Sequence, residues 1–119
     1  MKTILLSLLL ITAFTGSSFA QTKAVQKAVI QTPGVQTEGC KTRVENYLKR
    51  EDGVASVKAD YRRHAVTVVY YTDRTNIENI KTAIANLGFD ADDITADPDA
   101  FKRLPPECQH VKQPNPTNK

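Results

Sequence analysis

The chain has 119 residues, 16 basic and 13 acidic side chains, a formal net charge of +3 and two cysteines. Without Lys2, which falls in a segment expected to be removed, the charges are too evenly balanced for a nucleic-acid protein, which needs a concentrated basic face. The remainder, about one hundred residues, suits one modest core and leaves little room for a deep substrate cavity, which argues against an elaborate enzyme.

The first twenty residues read as a cleavable secretory signal peptide. Met1-Lys2-Thr3 precedes an apolar run from Ile4 to Phe14, and Ser18-Phe19-Ala20 places small residues just before Gln21. The apolar run is shorter than the ~20 residues of a membrane-spanning helix. The expectation is an exported protein, periplasmic or secreted, with no stable membrane insertion after cleavage, whose thiols face oxidising conditions.

Residues 24 to 32 read as a first strand stopped by Pro33-Gly34, because proline cannot donate to a ladder and glycine permits a turn. From Gly39, residues Cys40, Val44, Tyr47 and Leu48 recur at three- and four-residue spacing, which predicts a helix ending near Asp52-Gly53. Val54 to Asp60 and Ala65 to Tyr71 are strands, joined through Tyr61-Arg62-Arg63-His64 as a hairpin. Thr75-Asn76-Ile77-Glu78 matches a capping box, Ile77, Ile80, Ile84 and Leu87 form the stripe of a second helix, and Gly88 supplies its left-handed stop. Phe89 to Thr95 is expected to be a last, acidic strand. Asp97-Pro98 reads as an N-cap with proline at the first helical position, opening a short helix that Pro105-Pro106 ends.

The order β-α-β-β-α-β is the split β-α-β pattern of the α+β, ferredoxin-like fold: a four-stranded antiparallel sheet with two helices on one face, here with a short C-terminal helix. The expected boundaries are a signal peptide at 1–20, the main domain at 21–96, a short helix and cysteine-containing segment at 97–108, and a disordered tail at 109–119. Charges are locally sorted. Lys41, Arg43, Lys49, Arg50, Arg62 and Arg63 lie early and Asp90, Asp92, Asp93, Asp97 and Asp99 late, as either solvated faces or a docking surface.

Gly34-Val35-Gln36-Thr37-Glu38-Gly39-Cys40, continuing to Val44-Glu45 and Leu48, resembles the Gly-Met-x-Cys-x-x-Cys-x-x-x-Val-Glu-x-x-Leu signature of heavy-metal-associated domains. Gly53-Val54, Val66 to Tyr70, Ile80, Ile84 and Gly88-Phe89 also fall where that family has its later elements, so the resemblance covers about residues 24 to 95. It implies a non-enzymatic carrier that binds copper(I), mercury, zinc or cadmium, copper(I) first, through two cysteines and passes the ion by ligand exchange to a protein partner in the envelope. The departures are specific: the family's methionine is Val35 and its first cysteine is Thr37, leaving Cys40 alone in the loop. A neutral hydroxyl is a poor soft-metal ligand, and Thr37 is better suited to capping the helix, worth about 1 kcal/mol.

The second thiol is Cys108. If the last strand descends, the tail starts roughly 20 Å below Cys40. A short helix recovers ~9 Å and the extended Leu-Pro-Pro-Glu-Cys roughly 15 Å, so Cys108 can return to Cys40. Two chemistries then compete: a Cys40-Cys108 disulfide, or a soft-metal site with Cys40 and Cys108 as ligands. The helix dipole at Cys40 favours thiolate, and a reducible bond could gate binding. His64 and His110 are reserve nitrogen ligands, more readily read as exposed histidines. Two functions stay open: an exported metal-binding or transfer protein, monomeric or as a metal-bridged dimer, and a disulfide-stabilised envelope adaptor that has lost metal binding. No phosphate loop, serine elbow or Cys-x-x-Cys is present, so no catalytic activity is expected.

Overall fold

The computed structural model describes residues 24–109. The signal peptide read at 1–20 and the tail from His110 onward lie outside the described residues. Strand β1 (Val25–Gln31) is followed by helix α1 (Glu38–Leu48), strands β2 (Val54–Asp60) and β3 (Ala65–Tyr71), helices α2 (Ile77–Leu87) and α3 (Pro98–Arg103), and a 3-10 turn at Pro106–Cys108.

The β-branched run of β3 makes it the centre of the sheet, which has the order β1-β3-β2 with both pairings antiparallel. Ile30 of β1 faces Val66, as does Ala59 of β2, so the register gathers the inward residues into one patch. Val66, Val68 and Tyr70 alternate on the buried face, while Val25 and Val29 of β1 stand on the exposed one. The helices close over the buried face with stripes at helical spacing: Cys40, Val44 and Leu48 from α1, Ile80 and Ile84 from α2.

Helix α2 begins one residue later than the capping-box reading implies. Asn76, not Thr75, is the N-cap, its Oδ1 accepting from the Asn79 N–H at 2.9 Å, and Glu78 pairs with Lys81 instead of reaching back. Both residue types cap helices well, so the register of the preceding turn decides between them. At its other end Gly88 has φ +115°, and the Phe89 N–H reaches the Ile84 carbonyl at 3.2 Å.

The expected fourth strand at Phe89 to Thr95 is absent: among the described residues the sheet has three strands. Phe89 and Ala91 are buried as a strand's inward residues would be, but the chain reverses at once. Ala91 and Ile94 exchange both backbone hydrogen bonds at 2.9 Å across Asp92-Asp93, and Asp92 is left-handed at φ 51°. Asp92 also takes the Gln31 N–H on its Oδ1 at 2.7 Å and donates its own N–H to the Gln31 carbonyl at 2.9 Å. Asp90 accepts the Ala96 N–H at 2.8 Å. Asp90 holds the reversal through Ala96 and Asp92 through Gln31, and aspartates that accept backbone hydrogen bonds in this way favour turns over ladders.

The chain after Gly88 therefore never descends the sheet. Asp97 caps α3 through the Ala100 N–H at 3.0 Å while its own N–H bonds the Ala85 carbonyl at 2.9 Å, so α3 leaves from beside the C-terminal end of α2. The assumed descent of roughly 20 Å and its recovery are replaced by a short local return.

A Cβ at position 88 would lie 2.9 Å from the Ala100 carbonyl carbon and oxygen, on a backbone that L residues avoid. Gly88→Ala should cost at least about 1–2 kcal/mol in urea unfolding; an unchanged midpoint would contradict the close packing of α3 on this turn. Lys81 bonds Asp93 at 3.1 Å and lies near Glu78 and Asp92. The Lys81 hydrogen bond holds the Asp93 carboxyl below its usual value of 3.8, and the same bond holds the Lys81 ammonium above 10.5. The lowered carboxyl contributes stability that is present above pH 3.8 and lost as pH falls through its folded value; the raised ammonium's share is full below pH 10.5 and lost above it. The effect is small and salt-screened because Asp93 is exposed. Lys81→Met should flatten the acid limb of stability against pH, measured by urea midpoints, and superimposable wild-type and variant profiles would refute the pairing.

Candidate functional site

Cys40 owes its position to the start of α1. Thr37 is extended at φ −135° and caps the helix, its Oγ1 accepting from the Cys40 N–H at 3.3 Å. The same hydroxyl donates to Cys40 Sγ at 3.2 Å. Where a second thiol would complete a metal loop, this chain has a hydroxyl that orients the first turn. From there the spacing of Cys40, Val44 and Leu48 turns the sulfur inward, leaving Cys40 fully buried.

Cys108 arrives from the other direction. Leu104, buried at the end of α3, is extended at φ −69° and ψ 151°, and Pro105-Pro106 redirect the chain into the 3-10 turn, where the Cys108 N–H bonds the Pro105 carbonyl at 2.8 Å. Gln109 locks this segment: its Nε2 reaches the carbonyls of Leu104 at 2.9 Å and of Phe101 and Lys102 at 3.3 Å, satisfying the end of α3. The result is a Cys40–Cys108 disulfide across 68 residues with a Cα–Cα distance of 5.7 Å, and neither cysteine is free. Cys108 is as buried as its partner.

Sequence reasoning missed Glu107. Its carboxylate oxygen and the two sulfur atoms lie within 4.8 Å of one another, and Glu107 is exposed. Adjacency to Cys108 was the available signal, but a neighbour in sequence points to the same side only once the 3-10 turn is known. His64 is held elsewhere. It ends the β2–β3 hairpin at φ 52°, its Nδ1 lies 3.0 Å from the Val35 carbonyl, and its own carbonyl accepts the Thr32 N–H at 2.7 Å. It fastens the loop before α1 instead of joining the sulfurs. His110 lies outside the described residues.

Chemically, the site has two states. Oxidised, it is a covalent clasp between α1 and the tail. Reduced by a dithiol, which becomes a disulfide as two electrons and two protons pass to the cysteines, it presents two thiols whose deprotonated forms are soft-metal donors, beside a carboxylate. The clasp should stabilise the fold by about 4 kcal/mol in the chain-entropy model. Cys40→Ala and Cys108→Ala should each lose most of that in urea unfolding relative to the oxidised wild type, whereas adding reductant should leave both variants unaffected. A wild-type midpoint insensitive to reductant would remove the clasp's stabilising role.

Comparison with known proteins agrees with this architecture. The heavy-metal-associated domain model matches residues 29–90, which include Cys40 but not Cys108. No curated protein matches the sequence. Among solved structures, oxidized MerP from Ralstonia metallidurans CH34 superposes with a TM-score of 0.55 at 20% identity, covering 57% of this chain and 94% of that one, a likeness of fold. The CopZ metallochaperone gives 0.53 at 27% identity over 56% of this chain and 98% of that one. A copper binding domain from HMA7, a P-type ATPase, gives 0.54 at 26% identity over 56% and 89%. Element order, the α1 stripe around Cys40 and a match over more than half of its length together establish that the chain belongs to the heavy-metal-associated domain family.

Proposed function

We propose that this protein is an exported, non-catalytic soft-metal-ion binding or transfer protein, with copper(I) as the leading cargo and the thiolates of Cys40 and Cys108 as ligands. The observation that carries this reading is that a cysteine from beyond the family-matched segment lies against the family's surviving cysteine, so the sulfur lost at Thr37 has a replacement from the tail. Copper(I) accepts two soft thiolates without further ligands, so a pair of sulfurs suffices. The names of two relatives, a metallochaperone and a copper binding domain of a P-type ATPase, support the same cargo class. The hydrophobic leader and small-residue site of the first twenty residues support export, and hence an envelope partner that takes the ion by ligand exchange.

In an oxidising compartment the pair rests as a disulfide, and metal uptake follows its reduction by a dithiol. Burial of both sulfurs means that the ion enters only when the tail from Leu104 to Gln109 swings off α1. The same burial favours a second reading, an envelope adaptor in which the crosslink is permanent and metal chemistry is lost.

Anaerobic titration with copper(I) separates the two. The reduced protein should bind about one ion per chain, with uptake abolished in Cys40→Ser and sharply weakened in Cys108→Ser, and the unreduced protein should show no free thiols and no uptake. Absence of thiol-dependent binding in the reduced wild type would reject the metal reading in favour of the adaptor.

A further inference from the structure

The carboxylate beside the two sulfurs bears on which of the family's ions this site would select. We infer that Glu107 is a third metal ligand, which together with Cys40 and Cys108 forms an S₂O site for a divalent d¹⁰ cation, zinc(II) or cadmium(II). The inference rests on the proposal that the two cysteines bind metal when reduced.

Two thiolates satisfy copper(I) but not zinc(II), which is four-coordinate and, in open sites, takes three protein ligands with the fourth position left to water or another molecule. Zinc–sulfur bonds of about 2.3 Å and zinc–oxygen bonds of about 2.0–2.2 Å place tetrahedral donors roughly 3.5–3.8 Å apart. The three donor atoms already lie within 4.8 Å of one another, so rotation of the exposed Glu107 side chain and opening of the disulfide are enough to reach that spacing. Glu107 precedes Cys108 in the same 3-10 turn, so any motion of the tail that frees the sulfur carries the carboxylate with it.

An independent observation concerns Gly39. A Cβ built at Gly39 would lie 2.7 Å from Glu107 Oε1 and 3.8 Å from its Cδ. The carboxylate thus occupies the space that a side chain at the residue before Cys40 would fill, over the first turn of α1, where the helix dipole favours an anion. The bare backbone at position 39 is what lets an oxygen donor approach the buried sulfur. Three anionic donors carry more charge than copper(I) needs and suit a dication better.

The test uses the full mature chain, reduced with a phosphine under anaerobic conditions, and titrates zinc(II) and, separately, copper(I) against chromophoric competitor chelators. Glu107→Gln, an exposed and nearly isosteric change, should weaken zinc(II) binding by at least about tenfold, the scale on which even outer-sphere partners act, and leave copper(I) affinity within about twofold. Gly39→Ala should weaken zinc(II) in the same direction by displacing the carboxylate, and cadmium–thiolate absorption should show both sulfurs still bound in both variants. Equal zinc(II) affinity for wild type and Glu107→Gln, with copper(I) binding intact, would overturn the role of Glu107 alone. Failure of the reduced wild type to bind either ion would overturn the metal-binding function together with this site.

Discussion

The clasp between Cys40 and Cys108 organises the functional end of the molecule, because it joins the first turn of α1 to a segment that follows every other described element. Its formation depends on two local devices. Thr37 caps α1 so that Cys40 falls on the inward stripe with Val44 and Leu48, and the two prolines after Leu104 bend the chain so that Cys108 approaches from above that turn. A loop of 68 residues closed in this way loses much of the unfolded chain's freedom, which matters for a core this small. The same bond, once reduced, would free the two thiols on which the proposed metal role rests. Stability and reactivity are thus drawn from one pair of atoms.

The turn at Asp92-Asp93 shortens the path to the clasp. A descending fourth strand would have carried the chain away from α1, and the tail would have had to climb back. The reversal instead ties Asp92 to the end of β1 and sends α3 off from the end of α2. One consequence is that the outer edge of β1 is met only at Gln31 by this segment, with Val25 and Val29 left on the exposed face. Loss of a strand pairing accompanies a tail that returns to the first turn of α1.

Placing the second sulfur outside the family-matched segment changes what the site can do. Ligands on one short loop open and close together with that loop, whereas Cys40 sits on a packed helix and Cys108 on a segment fastened chiefly by Gln109 and Leu104. In the proposed metal site one sulfur would stay fixed on a packed helix, while the other would be freed only by withdrawing Leu104 and Cys108 from the core. Glu107 shares the 3-10 turn with Cys108, so in the inferred site the oxygen donor and the second thiolate would move together.

Much of the fold was legible in the amino-acid sequence because it rests on short-range periodicity. The valine-rich run of β3, the stripes of α1 and α2, the Thr37 cap, the left-handed Gly88 and the Asp97-Pro98 helix start each follow from side chains acting within one or two turns of chain. The family resemblance was legible for the same reason, since it lies in loops and stripes of that length. Where two local preferences were nearly equal, sequence alone misjudged them: Thr75 and Asn76 compete for one cap, and the alternation of Phe89 and Ala91 competes with Asp90 and Asp92, which accept from the Ala96 and Gln31 N–H groups. Whether Cys108 would meet Cys40, and that Glu107 rather than His64 would stand beside them, was decided only by the tertiary structure. Those outcomes depend on where a chain of many residues closes on itself, and no local pattern records the direction from which a distant side chain arrives.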